Sequence, residues 1–497
     1  MSLKKNVIAN YLGNGWTALM SLAFIPIYIK YLGMEAYGLI GLYAVLQSSL
    51  TLIDAGMTPT LSREMSRFTA GAHSALSIRD LLRSLEVLCF STASLYGVLV
   101  WAGANWLSTN WLRVEKLGLS TVATAVSIMG IVTALKLIEG LYRGAIIGLQ
   151  KQVLFNIVNA ILATLRSFGA VLILALVSPT IYAYFAWQAA ISMIAVSALA
   201  TIVYTHLPKA ERSGQFSRTE LTKIWRFAVG VFATGFLVLL LTQVDKLILS
   251  KILPLEAFGQ YSLAAAIANS LLMLASPITQ AYYPRLTETL SAGNIEELKM
   301  IYHRGAQLIT VITGTAACII FCFGEILIII WTGSEELAQS IGNLLKIMTL
   351  GTLFNSFMNT PYVLQLAFGW SSFGAKVNFV AVMFLVPAVL LVTPIYGAIG
   401  AAWIWVILNA GYLFISSYFM HKVILITEKT KWLLRDLFIP FLATASTILL
   451  IWLLRPVFTS TTLAITFIVA TGLAGTSAGL IASSEVRRLI VAKKPCY

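Results

Sequence analysis

The chain has 497 residues with a formal net charge of +14, and 59% of the residues are hydrophobic while only 11% are charged. This composition, with a mean hydropathy of +0.86, excludes an ordinary soluble domain and predicts a polytopic membrane protein. The basic residues are scattered over many short segments, which argues against a nucleic-acid-binding protein.

Apolar runs of about 20 residues, each long enough to cross ~30 Å of hydrocarbon, recur along the whole chain. The first run follows two Lys residues but is too long for a signal peptide, so we expect it to be retained. We predict an all-α fold with about fourteen transmembrane helices, at residues 7–29, 37–58, 85–106, 119–142, 153–177, 180–203, 227–250, 257–281, 306–330, 343–366, 376–396, 398–420, 437–455 and 461–482.

The basic residues also predict the orientation, because short loops rich in Lys and Arg stay in the cytoplasm. With the N-terminus inside, the predicted cytoplasmic segments and adjoining helix ends hold most of the 34 Lys and Arg residues. We therefore predict that both termini are cytoplasmic and that the positive charge mainly reflects membrane topology.

Two similar segments indicate an internal repeat. Residues 32–38 read LGMEAYG and residues 253–259 read LPLEAFG, each in the outer loop after the first span of a six-span block. The two blocks then share one orientation and are related by an axis along the membrane normal. We expect an N-lobe at 1–205, a cytoplasmic linker at 206–226, a C-lobe at 227–420, and a final region at 421–497 with a cytoplasmic loop, two further spans and a basic tail.

Four charged residues lie inside predicted spans. Lys136, Glu139 and Arg143 fall within about 60° of arc on span four, and Arg166 lies near the middle of span five. A Lys or Arg at a helix centre costs roughly 2.5–3.5 kcal/mol, so such residues normally face protein or a watery cavity. Because three cations outnumber one carboxylate, we expect the cavity to bind an anion, for which a diphosphate is well suited.

Polar faces on neighbouring helices extend this cationic cavity. Asn14 lies on a polar face of span one, and Asn159 lies on the same face of span five as Arg166. We therefore predict that both amides line the cavity beside the three cations.

Three acidic residues are candidates for ion coupling or charge compensation: Glu139, Asp245 and Asp54. In the alternative interpretation, Glu139 is a static partner of Arg143 four residues later, and Asp245 pairs with Lys246 or other nearby basic groups. The sequence leaves both interpretations open.

Signatures of catalysis and metal binding are missing from the sequence. It has no nucleotide-binding phosphate loop and no D-x-D pair, and its four His residues fall in predicted loops or helix ends. We expect a protein that is not an enzyme and that needs no cofactor or bound metal.

Several short motifs together carry a family resemblance: NYLG at 10–13, YLG to YG at 31–38, DAG at 54–56, YRG to GLQ at 142–150, and QVDK at 243–246. With them, spans one to twelve resemble the polysaccharide transporters of the multidrug/oligosaccharidyl-lipid/polysaccharide exporter superfamily, which includes the O-antigen-type flippases of lipid-linked oligosaccharides. The resemblance implies two six-helix lobes in a V around a cationic central cavity, and the position of Arg143 agrees with a basic fourth span.

The resemblance also implies a function. The protein would move undecaprenyl-diphosphate-linked oligosaccharide repeat units across a bacterial inner membrane by alternating access, for surface polysaccharide biosynthesis. Its expected partners are that lipid-linked substrate, membrane lipids, and polysaccharide polymerase and assembly proteins.

Three alternatives remain. An ion-coupled multidrug antiporter of the same superfamily would favour an acidic, aromatic cavity, whereas the predicted cavity here is basic. A membrane polymerase or ligase of lipid-linked sugars would need a large outer loop, whereas the predicted outer loops are short. A scaffold subunit of an export complex is separated from a transporter only by an assay.

Overall fold

The structure, a computed structural model, describes residues 3–69, 71, 73–207, 210 and 212–492. It describes side chains from Leu12 onward, except at positions 226, 234, 371 and 489–492. The start of the chain, parts of the predicted linker and the end of the predicted basic tail therefore lie outside this description. The described residues are mostly helical and form no strand, apart from one isolated bridge between Arg113 and Pro254.

Residues Met1–Gly259 form the first of two compact units. Inside a bilayer every backbone N–H and C=O group needs a partner within the protein, which is why the apolar runs form helices. Gly33, with φ of +83°, ends the second helix in a backbone conformation that glycine adopts readily. The helices are α1 Leu3–Ala23, α2 Ile25–Leu32, α3 Met34–Ser48, α4 Leu50–Ile53, α5 Met57–Thr69, α6 Ala75–Trp106, which continues as a π-helical turn at Leu107–Trp111, α7 Leu119–Gly148, α8 Gln152–Leu176, α9 Ile181–His206 and α10 Arg218–Ile252.

Residues Gln260–Tyr497 form the second unit. Two further π-helical segments lie at Tyr412–Ser416 and Trp432–Phe438. The α-helices that follow α10 are α11 Leu255–Ser291, α12 Ile295–Thr332, α13 Glu335–Phe357, α14 Asn359–Ala367, α15 Ser371–Gly411, α16 Ser417–His421, α17 Lys429–Lys431, α18 Ile439–Leu453, α19 Thr461–Ala482 and α20 Ser484–Ala492.

The structure confirms an all-α polytopic fold, and the predicted count of fourteen spans is approximate. Within the described residues, twelve helical segments are long and apolar enough to cross a membrane. One of them, Ser372–His421, contains two predicted spans and is broken at Gly397, where φ is +56°. The predicted span 343–366 corresponds to α13 and α14 and is not among the twelve. The lobes predicted from the repeat remain a prediction.

The two repeat segments contact each other within the first unit. A Cβ atom at Gly38 would collide with the carbonyl oxygen of Leu255, and one at Gly259 would lie 2.7 Å from that of Met34. Met34 and Leu255 occupy matching places in the two segments, so the contact is reciprocal.

The two matching Glu residues of the repeat both contact the loop between α6 and α7. Buried Glu35 accepts hydrogen bonds from the backbone N–H groups of residues 115–117 at 2.6–3.1 Å. Glu256 pairs with Lys116 at 2.5 Å.

Helix α7 is the centre of the first unit and packs against α3, α5, α6 and α9. Glycines let its neighbours approach closely: a Cβ at Gly148 would lie 2.6 Å from Met65 Cβ, and one at Gly144 would lie 2.7 Å from Thr58 O. Small residues at such crossings are typical of membrane helices. The close packing fixes the rotation of α7 and thus the direction of its charged side chains.

We expect Gly148→Ala to destabilise the first unit by about 1–3 kcal/mol, because the added methyl group overpacks the crossing of α5 and α7. Gly15→Ala is the matched control, since a Cβ there meets no atom within 4 Å. Thermal unfolding of both variants in detergent checks the prediction. Equal midpoints for the two variants would contradict it.

Candidate functional site

The charges predicted inside spans four and five meet in the first unit. Arg166 Nη2 of α8 donates to Glu139 Oε2 of α7 at 2.7 Å, and Lys136 Nζ lies 3.5 Å from the same oxygen. One carboxylate therefore serves two cations. We name Lys136, Glu139 and Arg166 the cationic triad, because it keeps a net positive charge.

The cationic triad is neither sealed nor fully solvated. The side chains of Lys136, Arg166 and Glu139 are 20%, 15% and 13% exposed. Arg166 Nε is buried and has no hydrogen-bond partner among the described residues. A buried donor normally has a partner, so this N–H can bind water or an anionic oxygen that reaches the triad.

Hydrogen bonds between helices hold α8 in place on either side of Arg166. Trp16 Nε1 of α1 donates to Thr164 Oγ1 at 2.9 Å, and Tyr28 OH of α2 donates to Ser167 O at 3.1 Å. These bonds, at Thr164 and Ser167, fix the rotation of α8 and thus the direction of the Arg166 side chain between them.

Buried aromatic rings lie beside the cationic triad. Tyr43 of α3 is close enough to Arg166 and Glu139 to interact with them electrostatically. Its ring packs edge-on against Phe185 at 5.4 Å between centroids, and Phe185 packs against Tyr184 at 5.1 Å. These rings give the charges a wall of low polarity, which strengthens their electrostatic interactions.

The remaining predicted lining residues occupy different surroundings. Arg143 is exposed on α7, and no ion pair of its side chain occurs among the described residues, so Glu139 contacts Lys136 and Arg166 instead. Asn14 is exposed on α1. Asn159 is half-buried, and its Nδ2 donates to Thr17 Oγ1 at 3.1 Å, which ties α8 to α1.

Asp54 lies directly after α4 and holds the start of α5. Its carboxylate accepts the backbone N–H of Thr58 at 3.1 Å and the Thr58 hydroxyl at 2.6 Å. The contacts are those of a helix-capping carboxylate.

Asp245 is half-buried on α10. The neighbouring Lys246 Nζ donates to Thr242 O at 3.2 Å and lies 3.4 Å from Gln243 Oε1. The ion-coupling roles predicted for Asp245, Asp54 and Glu139 remain predictions.

Sequence reasoning missed the buried carboxylate of Glu86 in the first unit. Glu86 is 1% exposed and accepts hydrogen bonds from Tyr142 OH at 2.9 Å, Tyr204 OH at 2.8 Å and Arg83 Nη1 at 3.1 Å. This network joins α6, α7 and α9. The available signal was an acidic residue in the first turn of the span predicted at 85–106.

Comparisons with known proteins agree on one superfamily. A family model described as "Polysaccharide biosynthesis protein" matches residues 3–290, and a second model, MatE, matches residues 231–392. A Shigella flexneri protein named for O-antigen transport is 22% identical over 413 residues, which cover 82% of this chain and 96% of that protein.

Two solved structures share the fold. The lipid II flippase MurJ in its inward closed conformation has a TM-score of 0.71 at 11% identity, covering 98% of this chain and 99% of that one. An inward-facing multidrug resistance MATE family transporter of the MOP superfamily has a TM-score of 0.64 at 12% identity, covering 86% of this chain and 96% of that one.

We expect a double-mutant cycle with Glu139→Gln and Arg166→Gln to give a coupling energy of about 1–3 kcal/mol, because the two groups are in contact and mostly buried. The free energy of unfolding in mixed micelles is the measurement. Glu296→Gln with Lys299→Gln is the control pair, and its exposed Glu predicts coupling below about 1 kcal/mol. Equal coupling in both cycles would contradict the proposed strength of the triad.

Proposed function

Since the chain belongs to the polysaccharide biosynthesis protein family, we propose that it is a flippase for undecaprenyl-diphosphate-linked oligosaccharide repeat units. It moves them from the cytoplasmic leaflet of a bacterial inner membrane to the opposite leaflet, for surface polysaccharide biosynthesis. In this proposal both termini are cytoplasmic, the protein performs no covalent chemistry, and polysaccharide polymerase and assembly proteins take up the product.

The observation that carries this proposal is the net positive charge of the cationic triad. Lys136 and Arg166 share one carboxylate, and the buried Arg166 Nε has a proton to donate. A diphosphate offers several anionic oxygens, so it can accept from both cations through charge-assisted hydrogen bonds. Arg143, exposed on the same helix as Lys136, adds a further positive charge to the path of the substrate.

Glu139 gives the site a means of release. When a diphosphate binds, it competes with Glu139 Oε2 for the Arg166 guanidinium, which the carboxylate holds at 2.7 Å without substrate. When the diphosphate leaves, Glu139 pairs again with both cations. This pairing lowers the free-energy cost of leaving two buried positive charges without substrate. Binding is therefore moderate rather than irreversible, as transport requires.

Alternating access completes the mechanism. The diphosphate and its sugars enter from the cytoplasmic side while the polyprenyl tail stays in the bilayer, and the cavity then opens to the other side. Asp54 and Asp245 are the carboxylates proposed to couple this change to an ion gradient.

A multidrug antiporter is the second candidate, favoured by the match to the MatE model over residues 231–392. Such a protein binds organic cations and needs an acidic cavity, because opposite charges must meet at the site. A cationic triad repels that cargo. We therefore rank this function below the flippase.

We expect Arg166→Ala to lower the rate of flipping of a lipid-linked oligosaccharide in proteoliposomes by at least about tenfold, the effect of losing ~1.4 kcal/mol of binding. Lys136→Ala should reduce the rate less, because a lysine presents one compact charge whereas the Arg166 guanidinium can bind two phosphate oxygens at once. Lys299→Ala, whose side chain pairs with Glu296 in the second unit, is the control.

The same assay separates failure of the site from failure of the function. Unchanged flipping by both triad variants, in folded protein at equal density, would refute the site. Absence of flipping by the unmodified protein, together with export of an organic cation, would favour the antiporter.

We expect Glu139→Gln to bind the diphosphate more tightly and to release it more slowly, because the neutral amide no longer competes for the two cations. Binding of undecaprenyl diphosphate to protein in nanodiscs, measured with the flipping rate, tests this. Tighter binding with slower flipping is the expected result. Weaker binding would show that Glu139 orients the cations rather than competing with the substrate.

A further inference from the structure

The second unit contains an apolar groove of about 490 Å³ whose lining includes no residue of the cationic triad. Its walls are the two arms of the chain on either side of Gly397, within residues 373–388 and 404–419. Leu385 and Ile404, which are 6% and 7% exposed, form its floor, and exposed apolar side chains form its rim. We name it the lipid groove.

Irregular backbone shapes this groove. Gly411 lines it at a place where a Cβ atom would meet no other atom within 4 Å. The next residues, Tyr412–Ser416, form a π-helical turn, a distortion found frequently at functional sites. Tyr412 OH donates to Asn378 Oδ1 at 3.1 Å, which joins the two walls.

Positive charge lies at one end of the groove. Lys376 is part of the lining, and Lys422 Nζ lies 5.8 Å from the centre of the Phe419 ring, another lining residue. Lys376 and Lys422 are exposed, and neither forms an ion pair within the described residues. Lys299, Lys346 and Lys431 of the same unit, in contrast, all pair with Glu.

The groove has the dimensions of one lipid chain. Lining residues run from Phe373 to Ala388, which at ~1.5 Å per helical residue gives about 22 Å. That length reaches from a membrane interface through one leaflet of a hydrocarbon core of ~30 Å. It covers a fatty acyl chain but only part of the much longer undecaprenyl chain.

We propose that the lipid groove binds one anionic phospholipid. An acyl chain lies against Leu385 and Ile404, and the headgroup phosphate contacts Lys376 and Lys422. Basic pockets between membrane helices bind anionic headgroups in this way, and each Lys near the surface adds attraction to an anionic leaflet. Bound lipid would bridge the two walls, which Tyr412 and Asn378 already connect.

Native mass spectrometry of the full-length protein, delipidated and then supplied with phosphatidylglycerol, tests the proposal. Phosphatidylcholine with the same acyl chains and inorganic phosphate are the comparison ligands. Gly411→Leu should abolish tight binding of phosphatidylglycerol, because the new side chain fills the groove without a clash. Gly103→Leu is the matched control, since a Cβ at this helical glycine of the first unit also meets nothing within 4 Å.

Lys376→Gln should weaken binding of phosphatidylglycerol about fivefold, equivalent to the ~1 kcal/mol that one Lys contributes near an anionic surface. The double variant Lys376→Gln with Lys422→Gln serves if Gly411→Leu does not fold. Lys299→Gln is the charge control.

The expected result is preferential retention of phosphatidylglycerol, lost in the groove variants and kept in both controls. Equal retention by Gly411→Leu, or equal binding of phosphatidylcholine, would overturn the proposal. Displacement of phosphatidylglycerol by undecaprenyl diphosphate at equal concentration would overturn it too, because the groove would then be a site for a polyprenyl chain. Binding of inorganic phosphate alone, without the lipid, would leave the apolar walls without a role and also contradict it.

Discussion

The candidate site depends on the carboxylate of Glu139, because it contacts Lys136 on its own helix α7 and Arg166 on the neighbouring helix α8. Two cations around one anion inside a bilayer leave a charge that water or a ligand must balance, since an isolated buried charge is costly. The crossing of α7 with α5 and the bonds from α1 and α2 to α8 keep these groups aligned. The close packing of the first unit thus holds two cations beside one carboxylate, which leaves a net positive charge at the site.

The second unit satisfies its polar groups differently. Asn355 Nδ2 donates to Asn409 Oδ1 at 2.7 Å, and Asn409 Nδ2 donates to Trp405 O at 2.8 Å, so neutral amides complete one another. A buried hydrogen bond joins His303 of α12 to Asp436 in the π-helical segment Trp432–Phe438. Each unit taken by itself therefore has its own chemistry: one presents fixed charge, and the other presents an apolar surface with Lys at its edge.

The sequence predicts the class of fold and the special status of Lys136, Glu139 and Arg166, because charge in apolar runs is conspicuous. It does not predict which arginine pairs with Glu139. The i,i+4 spacing on α7 favours Arg143, whereas the packing of α8 against α7 places Arg166 in contact with the carboxylate. It also fails to place Glu86, since hydrogen bonds from Tyr142 and other helices bury that carboxylate. Periodicity describes the face of one helix, but partners are decided by how helices rotate against each other.

The reciprocal contact between the repeat segments has a consequence for how this protein can change over generations. Gly38 lies against Leu255, and Gly259 lies against Met34, so each segment is part of the other's steric environment. A bulkier residue at Gly38 or Gly259 is tolerated only with a compensating change in the segment that it contacts. The two segments are therefore not free to change independently at these positions, and this steric fit is a physical reason for the likeness between them.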